Sequence, residues 1–199
     1  ATPHHHPRRG HKRPEILNKQ LRLVRAEAAK ISDKFRIYLG TEVFFGQDVP
    51  EKINRGEILT MNKRNTVLLE FSPSDSYDYI RQGVQQVQMT GNQVIIAHAE
   101  RYQCLLDDIG YAEELCDMGA SIQVNAGSII GDGGRRAKKF VKELMDEDMV
   151  FGVGTDAHGV QTRAPKMKKA ADYVKKKYGE EYMRRIFFDN ASTLLRKRK

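Results

Sequence analysis

Two carboxylates, an imidazole and an Asp-x-His pair stand at or just past short apolar runs in this chain, a set of groups suited to a metal centre. Glu42 follows Leu39, Glu70 follows Val67-Leu68-Leu69, and His98 follows Val94-Ile95-Ile96. Asp156-Ala157-His158 follows Val150-Phe151-Gly152-Val153, and Asn125 ends a further run, Ile122-Gln123-Val124. The steps from Glu42 through Glu70, His98 and Asn125 to Asp156 are 28, 28, 27 and 31 residues, close to the length of one strand–helix–strand unit. In a parallel sheet or barrel the strand C-termini open on one face, so these residues are expected to converge on one rim. Asp156 and His158, two apart on an extended segment, would point to the same side. Oxygen and imidazole donors without thiolate fit Mn, Fe or Zn. Taken singly, each position is explained as well by a buried histidine or a paired glutamate; the joint, near-regular spacing carries the metal reading.

Arg101 follows His98 into the same loop, and Arg163 follows the Asp-x-His pair by five residues. Two arginines beside a metal cluster would grip a phosphate and neutralise charge during its transfer. Equally, each is an ordinary surface arginine in water or in an ion pair. Asn125, with Ala126-Gly127-Ser128, is either a hydrogen-bonding group on the rim or a turn.

Competing chemistries can be tested on the same residues. A thiol phosphatase needs an arginine six residues after its cysteine, but Gly110 follows Cys104 and Ile122 follows Cys116 at that spacing. No phosphate-binding Gly-x-x-x-x-Gly-Lys loop occurs, nor His-Glu-x-x-His, nor Cys-x-x-Cys. The basic runs lack interleaved aromatic residues, so no specific nucleic-acid platform is expected.

The elements that must position these residues follow from periodicity. Residues 2 to 11 show none and read as a loop. Leu17, Leu21, Val24, Ala28 and Ile31 form a helical stripe, and Arg36 to Leu39 reads as a strand leading to Glu42. Residues 46 to 65 are polar and irregular, with room for one short helix. Further helices carry Ile80, Val84 and Val87, then Ala112, Leu115 and Met118, then Ala137, Phe140, Val141 and Leu144. A last stripe of Met167, Ala170, Val174 and Tyr178 leaves Lys168, Lys169, Lys175 and Lys176 facing water. Strand alternating with helix predicts an α/β domain over residues 1–199 with a mainly parallel sheet.

Composition sets the remaining bounds. A chain of 199 residues, 40% hydrophobic, can bury a core of its own. No apolar run reaches the roughly 20 residues needed to span a bilayer, so membrane insertion is not expected. Two cysteines make no disulfide framework, and a cytoplasmic location is the default. The net charge of +8 favours anionic partners, with much of the excess in residues 166–177 and in Arg196-Lys197-Arg198-Lys199.

In order along the chain, Thr2-Pro3-His4, Gly40-Thr41-Glu42, Leu69-Glu70-Phe71, His98-Ala99-Glu100-Arg101-Tyr102, Asn125-Ala126-Gly127-Ser128 and Thr155-Asp156-Ala157-His158 resemble the polymerase-and-histidinol-phosphatase (PHP) superfamily. Within it the chain is similar to the manganese-dependent protein-tyrosine phosphatases of bacterial capsule and exopolysaccharide operons. The resemblance implies a distorted (β/α)7 barrel with up to three metal ions, Mn or else Fe or Zn. By motif position Glu42 bridges two metals, Glu70 and His98 complete one of them, Asp156 serves another, and His4 and His158 bind a third. Arg101 and Arg163 match the phosphate-binding arginines, and His158 is a candidate proton donor. The implied substrate is the phosphotyrosine tail of a cognate bacterial tyrosine kinase, and a homo-oligomer is compatible with the family. A small-molecule phosphatase resembling histidinol phosphatase and a catalytically impaired binding remnant are the alternatives. The family opens with a His-x-His strand that precedes the Thr-Pro-His motif. A chain starting at that motif is therefore expected to lack the first βα unit, to hold fewer metals, and to be impaired.

Overall fold

A computed structural model describes residues 1–7, 12–161 and 163–195. The basic tail from Arg196 and the residues from Arg8 to His11 lie outside the described set. Six strands occur among the described residues: β1 (His4–His5), β2 (Glu42–Phe44), β3 (Thr66–Glu70), β4 (Gln93–Ile96), β5 (Ser121–Asn125) and β6 (Val150–Gly154), in sheet order β1 to β6. The helices are α1 (Pro14–Ile31), α2 (Val49–Asn54), α3 (Tyr77–Gln88), α4 (Gln103–Asp107), α5 (Gly110–Asp117), α6 (Ala126–Ile130), α7 (Gly134–Asp146), α8 (Lys168–Tyr178), α9 (Glu180–Arg184) and α10 (Asn190–Thr193). The fold is α/β with parallel strand pairing, as the alternation predicts. No described helix is long and apolar enough to cross a membrane. The chain divides into two compact units, residues 1–70 with 82–94, and residues 71–81 with 95–199.

In the first unit, β1 pairs in parallel with β2, His4 opposite Glu42, and β2 pairs with β3, Phe44 opposite Glu70. Two expectations are corrected here. The opening segment is not wholly loop: His4–His5 is a strand, made by backbone pairing with β2 rather than by any pattern of its own. Conversely, Arg36 to Leu39 is not a strand. Its carbonyls are taken elsewhere: the Ile37 oxygen accepts from the Arg25 guanidinium and the Tyr38 oxygen from the chain's amino terminus. Pairing begins only at Gly40, whose N–H donates to Ala1 O, so Glu42 opens its strand instead of ending it. Gly40 has no room for a side chain, because a Cβ there would meet Met61 Sδ at 2.6 Å and its Cα at 3.1 Å.

Helix α1 also differs from its sequence stripe. Leu17 is buried, but Val24 is 53% and Ile31 80% exposed. Leu17 is its one buried residue, and periodicity states which face is apolar without stating what covers it. The short helix expected within residues 46 to 65 is α2, whose Val49 and Ile53 are buried.

In the second unit, β4, β5 and β6 form parallel ladders. The β5–β6 register shifts between Ile122 and Gln123, a bulge that sets Asn125 opposite Gly154. Ala112 and Leu115 of α5, Phe140, Val141 and Leu144 of α7, and Ala170 and Val174 of α8 are buried as their stripes predict. Met118 lies just past α5 and is only half-buried. Tyr102, fully buried, fastens the segment before it: its hydroxyl donates to Ala97 O at 2.9 Å and accepts from Phe71 N–H at 3.1 Å. Removing that hydroxyl would leave a buried N–H without its acceptor, at a cost of about 1–3 kcal/mol.

Candidate functional site

Strand ends place the chemistry-bearing groups. In the first unit, Glu42 and Glu70 come from neighbouring strands and His4 from the strand on the other side of β2. Their ligand atoms all lie within 4.8 Å of one another, and His4 Nε2 is 3.5 Å from Glu42 Oε2. Glu42 is buried. Two carboxylates brought this close while shielded from water repel each other unless a cation lies between them. An imidazole and two carboxylates form an oxygen-and-nitrogen donor set for a divalent ion such as Mn, Fe or Zn, so the residues fit the metal that the resemblance implies.

The second unit holds the remaining predicted residues. His98 lies two residues past β4 and Asp156 two past β6; Asn125 is the last residue of β5. His98 at φ 35°, Asp156 at φ 47° and Arg163 at φ 50° all adopt the left-handed backbone region. Side chains other than Asn and Asp visit it at a cost of about 1–3 kcal/mol. His98 and Arg163 are therefore strain held at the loops that carry the chemistry.

Asp156 is the hub of this group. Arg101 and Arg163 both donate to its Oδ2, as does Asn125 Nδ2 at 3.4 Å. His158 Nδ1 lies 3.0 Å from the Asp156 carbonyl oxygen and 3.4 Å from its Oδ1. Burial by itself pushes the Asp156 carboxyl up. The charges of Arg101 and Arg163, helped by His98 and His158, outweigh it and hold the group below the usual carboxylate range. Its charge-dependent stabilisation is therefore present above the ordinary carboxylate pKa and is lost as pH falls through the depressed value. Because both guanidinium groups reach one oxygen, their half-exposed heads are gathered together, ready for a dianion. A cavity of about 450 Å³ opens beside them, lined by Arg101, Asn125, Ser128, Asp156, Arg163 and Lys166 among others.

The structure brings His4, Glu42 and Glu70 into one donor set, where motif position had grouped Glu42 with Glu70 and His98, and His4 with His158; Arg101, Arg163, His158 and Asp156 form one polar group. His98 and Asp156, expected among the ligands, are in the second unit, outside the three-residue set. Asn125 proves to be a hydrogen-bonding group as well as the residue that starts α6. Missed were Glu100, whose carboxylate is buried under this group, and Lys166, which lines the cavity. The signal for Glu100 was its place in the His98-Ala99-Glu100-Arg101-Tyr102 motif, four residues past β4. Neither cysteine is poised as a nucleophile: burial raises the Cys104 thiol and pushes Cys116 up to about 11.

The chain is 33% identical over 177 residues to the tyrosine-protein phosphatase CpsB of Streptococcus pneumoniae, covering 86% of this chain and 73% of the relative. It is 26% identical over 196 residues to the tyrosine-protein phosphatase YwqE of Bacillus subtilis, covering 98% and 77%. A crystal structure from work on YwqE and CpsB, described there as unique metal-dependent tyrosine phosphatases, superposes with a TM-score of 0.89 at 26% identity. That match covers 98% of this chain and 78% of the other. The family model for capsular polysaccharide synthesis, CpsB/CapC, matches residues 1–196. With the family model matching residues 1–196, nearly the whole length, the chain belongs to the CpsB/CapC family of capsular polysaccharide synthesis proteins.

Proposed function

We propose that this chain, read as one phosphatase domain over residues 1–199, is a metal-dependent phosphotyrosine-protein phosphatase of the cytoplasm. Its substrate is the tyrosine-phosphorylated tail of a kinase that controls polysaccharide synthesis. The observation that carries the reading is the close set of His4, Glu42 and Glu70, in a chain whose matched relatives are named tyrosine-protein phosphatases.

These three residues would hold a divalent ion, manganese being the metal proposed; His98, Asp156 and His158 are proposed as metal ligands offered by the second unit. A metal bound there supplies Lewis-acid activation of the water that attacks phosphorus. Arg101 and Arg163 exchange the Asp156 carboxylate for phosphoryl oxygens and hold them while charge shifts toward the leaving group. A tyrosine phenolate, with a parent pKa near 10, leaves with less help from a proton than an alkoxide does. His158, half-exposed, has Nδ1 engaged by the Asp156 backbone. It is proposed as a metal ligand or as the carrier of a proton to the leaving group.

The test is a comparison of substrates on the manganese-loaded chain. Turnover of a phosphotyrosine peptide should exceed that of histidinol phosphate by at least about tenfold in kcat/KM, a difference of about 1.4 kcal/mol in transition-state binding. The opposite order would make it a small-molecule phosphatase of the same fold.

A further inference from the structure

We propose that Glu100 is a positioning residue of the phosphate site, acting through Arg101 and Asn125; the inference rests on the phosphatase reading above. Glu100 sits in the 3₁₀ turn Ala99–Arg101, and only 3% of it is exposed. Its Oε1 accepts two hydrogen bonds, from Asn125 N–H at 3.0 Å and from the Ser128 hydroxyl at 2.8 Å. Its Oε2, also buried, has no hydrogen-bond partner among the described residues. A buried carboxylate with a bare oxygen is a costly way to hold two neutral donors, since a neutral acceptor would do so without burying a charge. What the side chain offers instead is reach: it ties the turn that carries Arg101 to the corner where β5 becomes α6.

The ties close into a ring. Arg101 N–H donates to His98 O and Tyr102 N–H to Ala99 O, so Glu100 and Arg101 share one tight turn. The carboxylate of Glu100 fixes the Asn125 backbone, the Asn125 amide reaches Asp156 Oδ2, and Asp156 receives the Arg101 guanidinium. Arg101 is thus held from both ends, by its own backbone through Glu100 and at its head through Asn125 and Asp156. Glu100, Arg101, Asn125, Ser128 and Asp156 all line the same cavity. Without the Glu100 carboxylate, the Asn125 and Ser128 donors lose their shared acceptor, and the corner is free to shift away from Asp156.

A double-mutant cycle on the full, manganese-loaded chain tests this. The readouts are kcat and KM for a phosphotyrosine peptide, affinity for inorganic phosphate by calorimetry, and thermal unfolding. Glu100→Ala and Glu100→Asp, the latter charged but one methylene too short, are each expected to lower kcat/KM about 10- to 100-fold, the range for removal of a supporting partner. Phosphate affinity should fall alongside. Glu100→Gln, which keeps one oxygen for both donors, should restore most of the rate. In an Arg101→Ala background, Glu100→Ala should cost less than about threefold more, because its effect passes through the missing arginine. Wild-type turnover and phosphate affinity in a folded Glu100→Asp or Glu100→Ala variant would overturn the inference, and so would losses that multiply across the cycle. A wild-type chain that neither turns over the peptide nor binds phosphate would instead overturn the phosphatase reading, and the inference with it.

Discussion

Glu42→Gln is expected to lower divalent-metal affinity by more than about 100-fold, because loss of an outer-shell partner alone costs 10- to 100-fold. Phosphotyrosine turnover should fall to background with it. Folding should not suffer. Glu42 is a buried carboxylate within 4.8 Å of the Glu70 donor atom, so a neutral amide in the metal-free protein relieves repulsion. Thermal unfolding of the metal-free variant should therefore match or exceed that of metal-free wild type. The rise in unfolding temperature that manganese gives by binding only the folded state should vanish. Unchanged calorimetric affinity for manganese in Glu42→Gln would remove His4, Glu42 and Glu70 as the metal site.

The second large effect lies at the arginines. Arg101→Ala and Arg163→Ala should each reduce kcat about 10²- to 10³-fold, the cost of deleting one charge-stabilising donor at a reacting centre. Lysine should restore little, since a point charge cannot replace a planar fork. Neither single change should unfold the protein, because Asp156 keeps the other arginine and the Asn125 amide. Both guanidinium heads are more than a third exposed, so their ion pairs add little to stability. A variant with normal kcat and a raised KM would mean that the arginine binds ground and transition states alike.

Much of this site could be read from the chain because the fold writes it at strand ends. Val67-Leu68-Leu69 and Val94-Ile95-Ile96 are too apolar to be anything but interior, so a charged or imidazole group straight after them had to stand at the sheet's edge. β3 ends at Glu70, and β4 ends two residues before His98. What failed to show was set by partners distant in sequence. His4–His5 is a strand only because β2 lies beside it, and three consecutive histidines between prolines carry no alternation. Arg36 to Leu39 has strand-like residues, yet its carbonyls bond to Arg25 and the amino terminus, which no local pattern reveals. The stripe on α1 was real, but its exposure at Val24 and Ile31 is a property of the neighbours. Glu100 was overlooked for the same reason: charge is visible in a sequence, burial of that charge is not, and its donors Asn125 and Ser128 are 25 and 28 residues away.

The most direct test of the central claim is the rate on a phosphotyrosine peptide before chelation, after EDTA treatment and dialysis, and after graded return of manganese. Chelation should abolish turnover, and activity should return in proportion to bound metal while the fold stays intact by circular dichroism. Undiminished turnover by protein shown to be metal-free would contradict the account.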